Sequence, residues 1–172
     1  QDPRVALPDE PVRDRSTFHV PDTYAADLAA RHPHAFEWAA SIHPYAPDAL
    51  DRLDAAKARR ARAVKWLPSA QGIDPSSERC DRFYEKLKYL RLPLISHAGD
   101  ERAVRGFGEH LGNPLLLRRP LEAGVRVVVA HCASLGMGRD LDRPDQPLVD
   151  NFALFARLMD EPRHRANLHG DI

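Results

Sequence analysis

Three apolar runs in this sequence end in a histidine, FEWAASIH (36–43), PLISH (93–97) and RVVVAH (126–131), and a fourth, AVKWL (63–67), carries a lysine at its centre. A neutral imidazole can ligate a divalent cation or move a proton, and an amine withdrawn from water needs a counter-charge or a modification. Side chains alternate along a strand, so the sequence predicts one shared face for Ala39, Ser41 and His43, one for Ile95 and His97, and one for Val127, Val129 and His131. Each histidine then closes its strand, and Lys65, in parity with Ala63 and Leu67, points into the same interior. Ala98 and Gly99 after His97 are expected to leave room for a ligand. A single strand-end histidine is commonly a hydrogen-bonded rim residue; three at equivalent positions argue for a shared site. His32 and His34 form an H-x-H, but beside Pro33 at a helix end they read as structural. Trp66 and Cys132, each next to one of these residues, are expected to face the other way and pack under helices. His19, His110, His164 and His169 are expected at the surface.

The elements that must position these groups alternate. Asp22 is placed to cap a helix running to Arg31, ended by His32 and Pro33. Pro47 and Asp48 open an Ala-rich helix with Leu50 and Leu53 on one face; SAQGIDPSS reads as loop. Phe83, Leu87 and Leu90 lie at i, i+4, i+7 of the helix leading into Leu92–His97. Asn113 and Pro114 start a helix over Leu115–Ala123, stopped by Gly124 and kinked or broken at Pro120. The strand Val125–His131 follows, then a helix over Phe152–Met159 with Phe152, Phe155 and Leu158 on one face, and a last strand from about Ala166. Five strand-like runs separated by helices favour an α/β fold with a parallel sheet and outer helices. Two closures fit, an open doubly wound sheet or a (β/α)8 TIM barrel. No glycine-rich phosphate loop follows a strand, which weakens the nucleotide-binding open sheet. A barrel needs eight strands, so this chain would supply a part of one, with its strand C-termini opening on a common mouth.

The 25 basic and 25 acidic residues cancel, giving no field to attract nucleic acid or an anionic membrane. A small-molecule substrate is the expected partner, and a homo-oligomer is compatible. Cys80 and Cys132 form no framework of spacings. With no membrane-length apolar run and no signal-like opening, a cytoplasmic location is expected. Gln1 in place of Met and the break at HGDI read as the cut ends of a longer protein.

With AVKWLPSAQGIDP, PLISHAGDERA, LGNPLLLRRPLEAGVRVVVAHCASLG and NLHGDI in hand, the sequence resembles the amidohydrolase superfamily, in its amidohydrolase-related branch of TIM-barrel metal-dependent hydrolases, from about Pro21 onwards. The resemblance implies that residues 1–172 form one incomplete barrel domain spanning family strands three to seven. It makes His97 a metal ligand, and makes His131 either a ligand to a second metal or the group that polarises the substrate and the metal-bound water. Lys65 would be a carbamylated bridging ligand in two-metal members. The implied cofactor is a divalent metal of zinc type, one or two ions, and the implied reaction is hydrolysis of a C–N or C–O bond. A rival within the branch is metal-dependent non-oxidative decarboxylation, and a catalytically silent barrel piece is a third reading. Glu101 and His43 are expected at the site as neighbours of the ligands or of substrate. The family's H-x-H and its last-strand aspartate have no counterpart here, so the fragment alone is expected to be inactive unless His43 or Asp171 completes the site.

Overall fold

The apolar runs become strands, each shorter than its run. In the computed structural model, which describes residues 20–104 and 106–171, the chain forms α1 (Asp22–Arg31), β1 (Ala39–Ala40), α2 (Ala49–Ala58), β2 (Ala63–Trp66), α3 (Pro68–Gln71), α4 (Asp81–Leu90), β3 (Leu94–His97), α5 (Arg118–Glu122) and β4 (Val127–Ala130). A hairpin, β5 (Met137–Gly138) and β6 (Val149–Asp150), precedes α6 (Asn151–Asp160) and β7 (Leu168–Gly170). His19 lies outside the described residues.

The main sheet is entirely parallel, in the order β1-β2-β3-β4-β7. A doubly wound sheet reverses its strand order at a switch point, and this one never does. Successive strands simply add on one side, which is the arrangement of a barrel wall. The fold is α/β, a five-stranded portion of a (β/α)8 barrel.

Register separates two faces. Ala40, Val64, Leu94, Val127 and Leu168 are aligned across all five strands, and none is more than 1% exposed. The next row, Trp66, Ser96 and Val129, points the same way. Trp66 stacks on Phe83 and Tyr84 of α4 at ring separations of 5.2 and 5.9 Å, and its indole N–H donates to the Ile42 carbonyl. This is the helix-covered face. On the other face Lys65, Ile95, Val128 and His169 are aligned; the first three are half-buried and His169 is exposed. Val127 and Val129 therefore face the helices, not the barrel interior. The inward residues of β4 are Val128 and Ala130, and parity counted back from His131 fails because His131 lies beyond the strand.

Several local expectations shift for identifiable reasons. Asp22 is the first residue of α1, not its cap; its carboxylate accepts from the Ser41 amide at 2.8 Å and from Arg52, tying α1 to the end of β1. Asn113 does cap, accepting from the Leu115 amide, but Pro114–Leu117 is 3-10 helix and α5 begins only at Arg118. Pro120 thus falls in a first turn, where its missing N–H is one that a helix leaves unbonded. In α6 the inward face is Asn151, Leu154, Phe155 and Leu158, and Phe152 is exposed. The predicted loop after β2 contains α3, and the hairpin β5–β6 carries too little apolar alternation to show in the sequence. Arg118 and Arg157 pin it to α5 and α6 through Asp142 and Asp140. His164 is buried, not at the surface, with Glu161 3.3 Å from its Nε2. Among the described residues no helix is long and apolar enough to cross a membrane.

Candidate active site

The ends of β3 and β4 bring two of the predicted side chains into contact. His97, the last residue of β3, and His131, the first after β4, have ring centroids 4.6 Å apart, and Nδ1 of His97 lies 2.9 Å from Nε2 of His131. Strand alternation alone would send His131 towards the helices. The backbone leaves β4 through three successive left-handed residues, His131 (φ 42°), Cys132 (φ 52°) and Ala133 (φ 53°). Each costs roughly 1–2 kcal/mol in a residue with a Cβ. The turn swings the imidazole back across the strand end onto His97. Asp171, just past β7, holds this geometry: its carboxylate accepts the His131 amide N–H, its own amide donates to Val129, and its carbonyl accepts from Cys132 Sγ at 3.2 Å. Cys132 accordingly packs against β7.

Gly99 and Gly112 explain the small residues after His97. A Cβ on Gly99 (φ 88°) would sit 2.6 Å from the Leu135 carbonyl oxygen, and one on Gly112 would sit 2.3 Å from the Gly99 oxygen. The space beside Gly99 and Gly112 is thus filled by backbone of the neighbouring loops. This packing brings Glu101 back beneath the pair. Its Oε1 accepts from the Ala103 amide, and its Oε2 is 3.6 Å from Nδ1 of His97.

Burial holds the His97 imidazole below its ordinary 6.5, with Glu101 opposing and His131 and Lys65 adding to the shift. Lys65 enters from β2 on the same open face. Burial lowers its pKa from the ordinary 10.5, and the charges of Asp171 and Glu101 pull the other way. These five residues, Lys65, His97, Glu101, His131 and Asp171, are one electrostatic group. Asp171 was the member hardest to find in the sequence; its only signal is a carboxylate at the end of a short strand-like segment.

His43 does not join them. It is buried past the end of β1, its Nε2 donates to the Gln71 carbonyl at 3.0 Å, and its Nδ1 accepts from the Tyr45 amide at 3.2 Å. Both ring nitrogens are spent on structure. The expected convergence of three histidines therefore reduces to two. His32 and His34 are exposed, as is His110.

The outer ring nitrogens, His97 Nε2 and His131 Nδ1, are buried without a hydrogen-bond partner. Two facing imidazole nitrogens 2.9 Å apart suit adjacent positions on one divalent ion; in a tetrahedral zinc site with bonds of about 2.0–2.1 Å such donors stand about 3.3 Å apart. The number of donors falls short. Among the described residues no three His, Cys, Asp or Glu side chains come together as a metal-binding group, whereas a catalytic zinc takes three protein ligands. The two histidines by themselves fall short of that set.

The amidohydrolase family model matches residues 6–172. The chain belongs to the amidohydrolase family. Among solved structures, this amidohydrolase chain is similar to a probable 2-pyrone-4,6-dicarboxylic acid hydrolase from Acinetobacter baumannii, crystallised with citric acid bound. The TM-score is 0.57 at 14% identity, over 84% of this chain and 48% of that one. At that identity the likeness concerns the fold. The chain spans about half the length of that hydrolase. No curated protein matches the sequence.

Proposed function

We propose that the protein of which this chain is part is a metal-dependent hydrolase, cleaving a C–N or C–O bond of a small molecule, with His97 and His131 at its centre. The observation that carries the reading is the 2.9 Å approach of two imidazoles from adjacent strand ends, beside Glu101 and an inward lysine. Family membership supports the reaction class.

A divalent ion would be held by His97 and His131, with its remaining ligands outside the described residues, and would supply Lewis-acid polarisation of the substrate carbonyl. Nδ1 of His97 and Nε2 of His131 must both offer lone pairs for this, so with the ion bound each ring would carry its proton on the outer nitrogen, whereas without it one inner nitrogen donates to the other. Burial favours that neutral state at His97. Glu101, anchored through Oε1, keeps Oε2 beside the pair to receive a proton from attacking water. Lys65, uncarbamylated, offers a cation to a substrate carboxylate; carbamylated, it would bridge two ions.

The test is elemental analysis of the whole protein, with turnover of a panel of esters, amides and lactones in 18O-labelled water. Bound metal, one 18O per product and loss of both metal and turnover in His97→Ala are expected. Carbon dioxide release without label would assign decarboxylation instead. A metal-free, inactive whole protein would overturn the reading and leave a silent barrel.

A further inference from the structure

The sequence HGD (169–171) spans the end of β7 and the residue after it, beside the turn that aims His131, and the hydrolase reading gives it no role. We infer that Asp171 is the positioning residue of this site: its carboxylate, by accepting the His131 amide N–H, fixes the left-handed turn that places the His131 ring on His97. The inference rests on the proposed function only where turnover is measured.

Three observations converge on it. His131, Cys132 and Ala133 all have positive φ, and none is a glycine, so the turn needs an outside restraint. Asp171 touches it twice, through the carboxylate on the His131 amide and through its carbonyl on the Cys132 thiol, while its own amide is locked to Val129 of β4. Gly170 is what lets the turn come this close: a Cβ there would stand 2.6 Å from Cys132 Sγ and 3.0 Å from the Phe155 ring. Gly170 thus admits the turn and Asp171 clamps it. A β7 that ended in another pair of residues would leave His131 to follow strand alternation towards the helices, away from His97.

What the clamp requires is an acceptor oxygen, not a negative charge. Asp171→Asn retains one and Asp171→Ala does not. The measurement is the nitrogen–nitrogen scalar coupling between the His97 and His131 rings, read by NMR in the whole protein after chelator treatment, so that it depends on neither metal nor substrate. The coupling should survive in Asp171→Asn and vanish in Asp171→Ala. Where turnover can be followed, Asp171→Ala should lower kcat by about 10²-fold with little change in KM, the effect of a reacting group displaced by about 1 Å. Gly170→Ala should abolish the coupling too, by pushing the turn away, and carries the test if Asp171→Ala does not fold.

Coupling that persists in whichever of those two variants folds would overturn the inference. So would equal loss in Asp171→Asn and Asp171→Ala, because charge and not the acceptor would then be at work. An inactive whole protein in which the coupling still follows this pattern would discard the hydrolase reading and leave the positioning role standing.

Discussion

His43 and the pair His97–His131 arise from the same kind of sequence, an apolar run closed by histidine, and end in opposite conditions. Beyond β1 the His43 ring donates from one nitrogen and accepts at the other, which fixes a single neutral tautomer. At β3 and β4 the inner nitrogens of the two rings face each other, and the outer nitrogens are buried without partners. A buried polar atom left unpaired costs stability, so it persists where something else uses it. The number of satisfied ring nitrogens, more than position on a strand, separates His43 from this pair.

The comparison breaks most visibly in activity. In the whole protein His97→Asn and His131→Asn should each lower kcat/KM by about 10²–10⁴-fold, the range for a lost proton-transfer or polarising group. His43→Ala should leave the folded enzyme's turnover close to wild type. A folded His43→Ala as inactive as His97→Asn would erase the distinction.

In stability the order reverses. His43→Ala strands the Gln71 carbonyl and the Tyr45 amide and should cost about 1–3 kcal/mol in urea unfolding, whereas removing either site histidine removes an unpaired atom and should cost less.

Acid sharpens the same contrast. Burial holds the His43 pKa below 6.5, helped by the charges of Arg79 and Arg52. The unfolded chain therefore binds the proton that the folded one refuses, and stability rises with pH in this window. His43 should contribute fully above pH 6.5 and progressively less as pH falls towards its folded value, because protonating Nδ1 breaks the bond from Tyr45. Melting curves across this range should be flatter for His43→Gln; an unchanged slope would remove His43 from the acid response.

The smallest effect is at Lys65. Its folded pKa is below 10.5, so below that pH the buried amine opposes folding. Lys65→Met should raise the thermal midpoint slightly at pH 7, and the gain should shrink as pH approaches 10.5. A lower midpoint at pH 7 would show that Lys65 is held by a favourable partner, as a carbamate would be.

Much of the wall was legible because its signals are local. Proline and glycine punctuated the chain, apolar runs marked the strands, and i, i+4 spacing marked α4, whose Phe83 and Leu87 are buried. Lys65 and His97 were legible for the same reason: each lies inside a strand, where alternation holds, and in register Lys65 pairs with Ile95, which shares a face with His97. His131 was placed beside them by an alternation that does not apply to it, since the residues it was counted with face the helices.

The sequence by itself determined the βα alternation and which residue types reach the strand ends, because those follow from a few neighbouring residues and the two periods of helix and strand. The tertiary structure decided the rest. Strict strand order chose the barrel wall over the doubly wound sheet. Contacts with Gln71 and Tyr45 removed His43 from the site, and Asp171, forty residues on in the chain, held a turn that no local preference would form. In each case the deciding partner is distant in sequence, so its effect exists only once the strands are side by side.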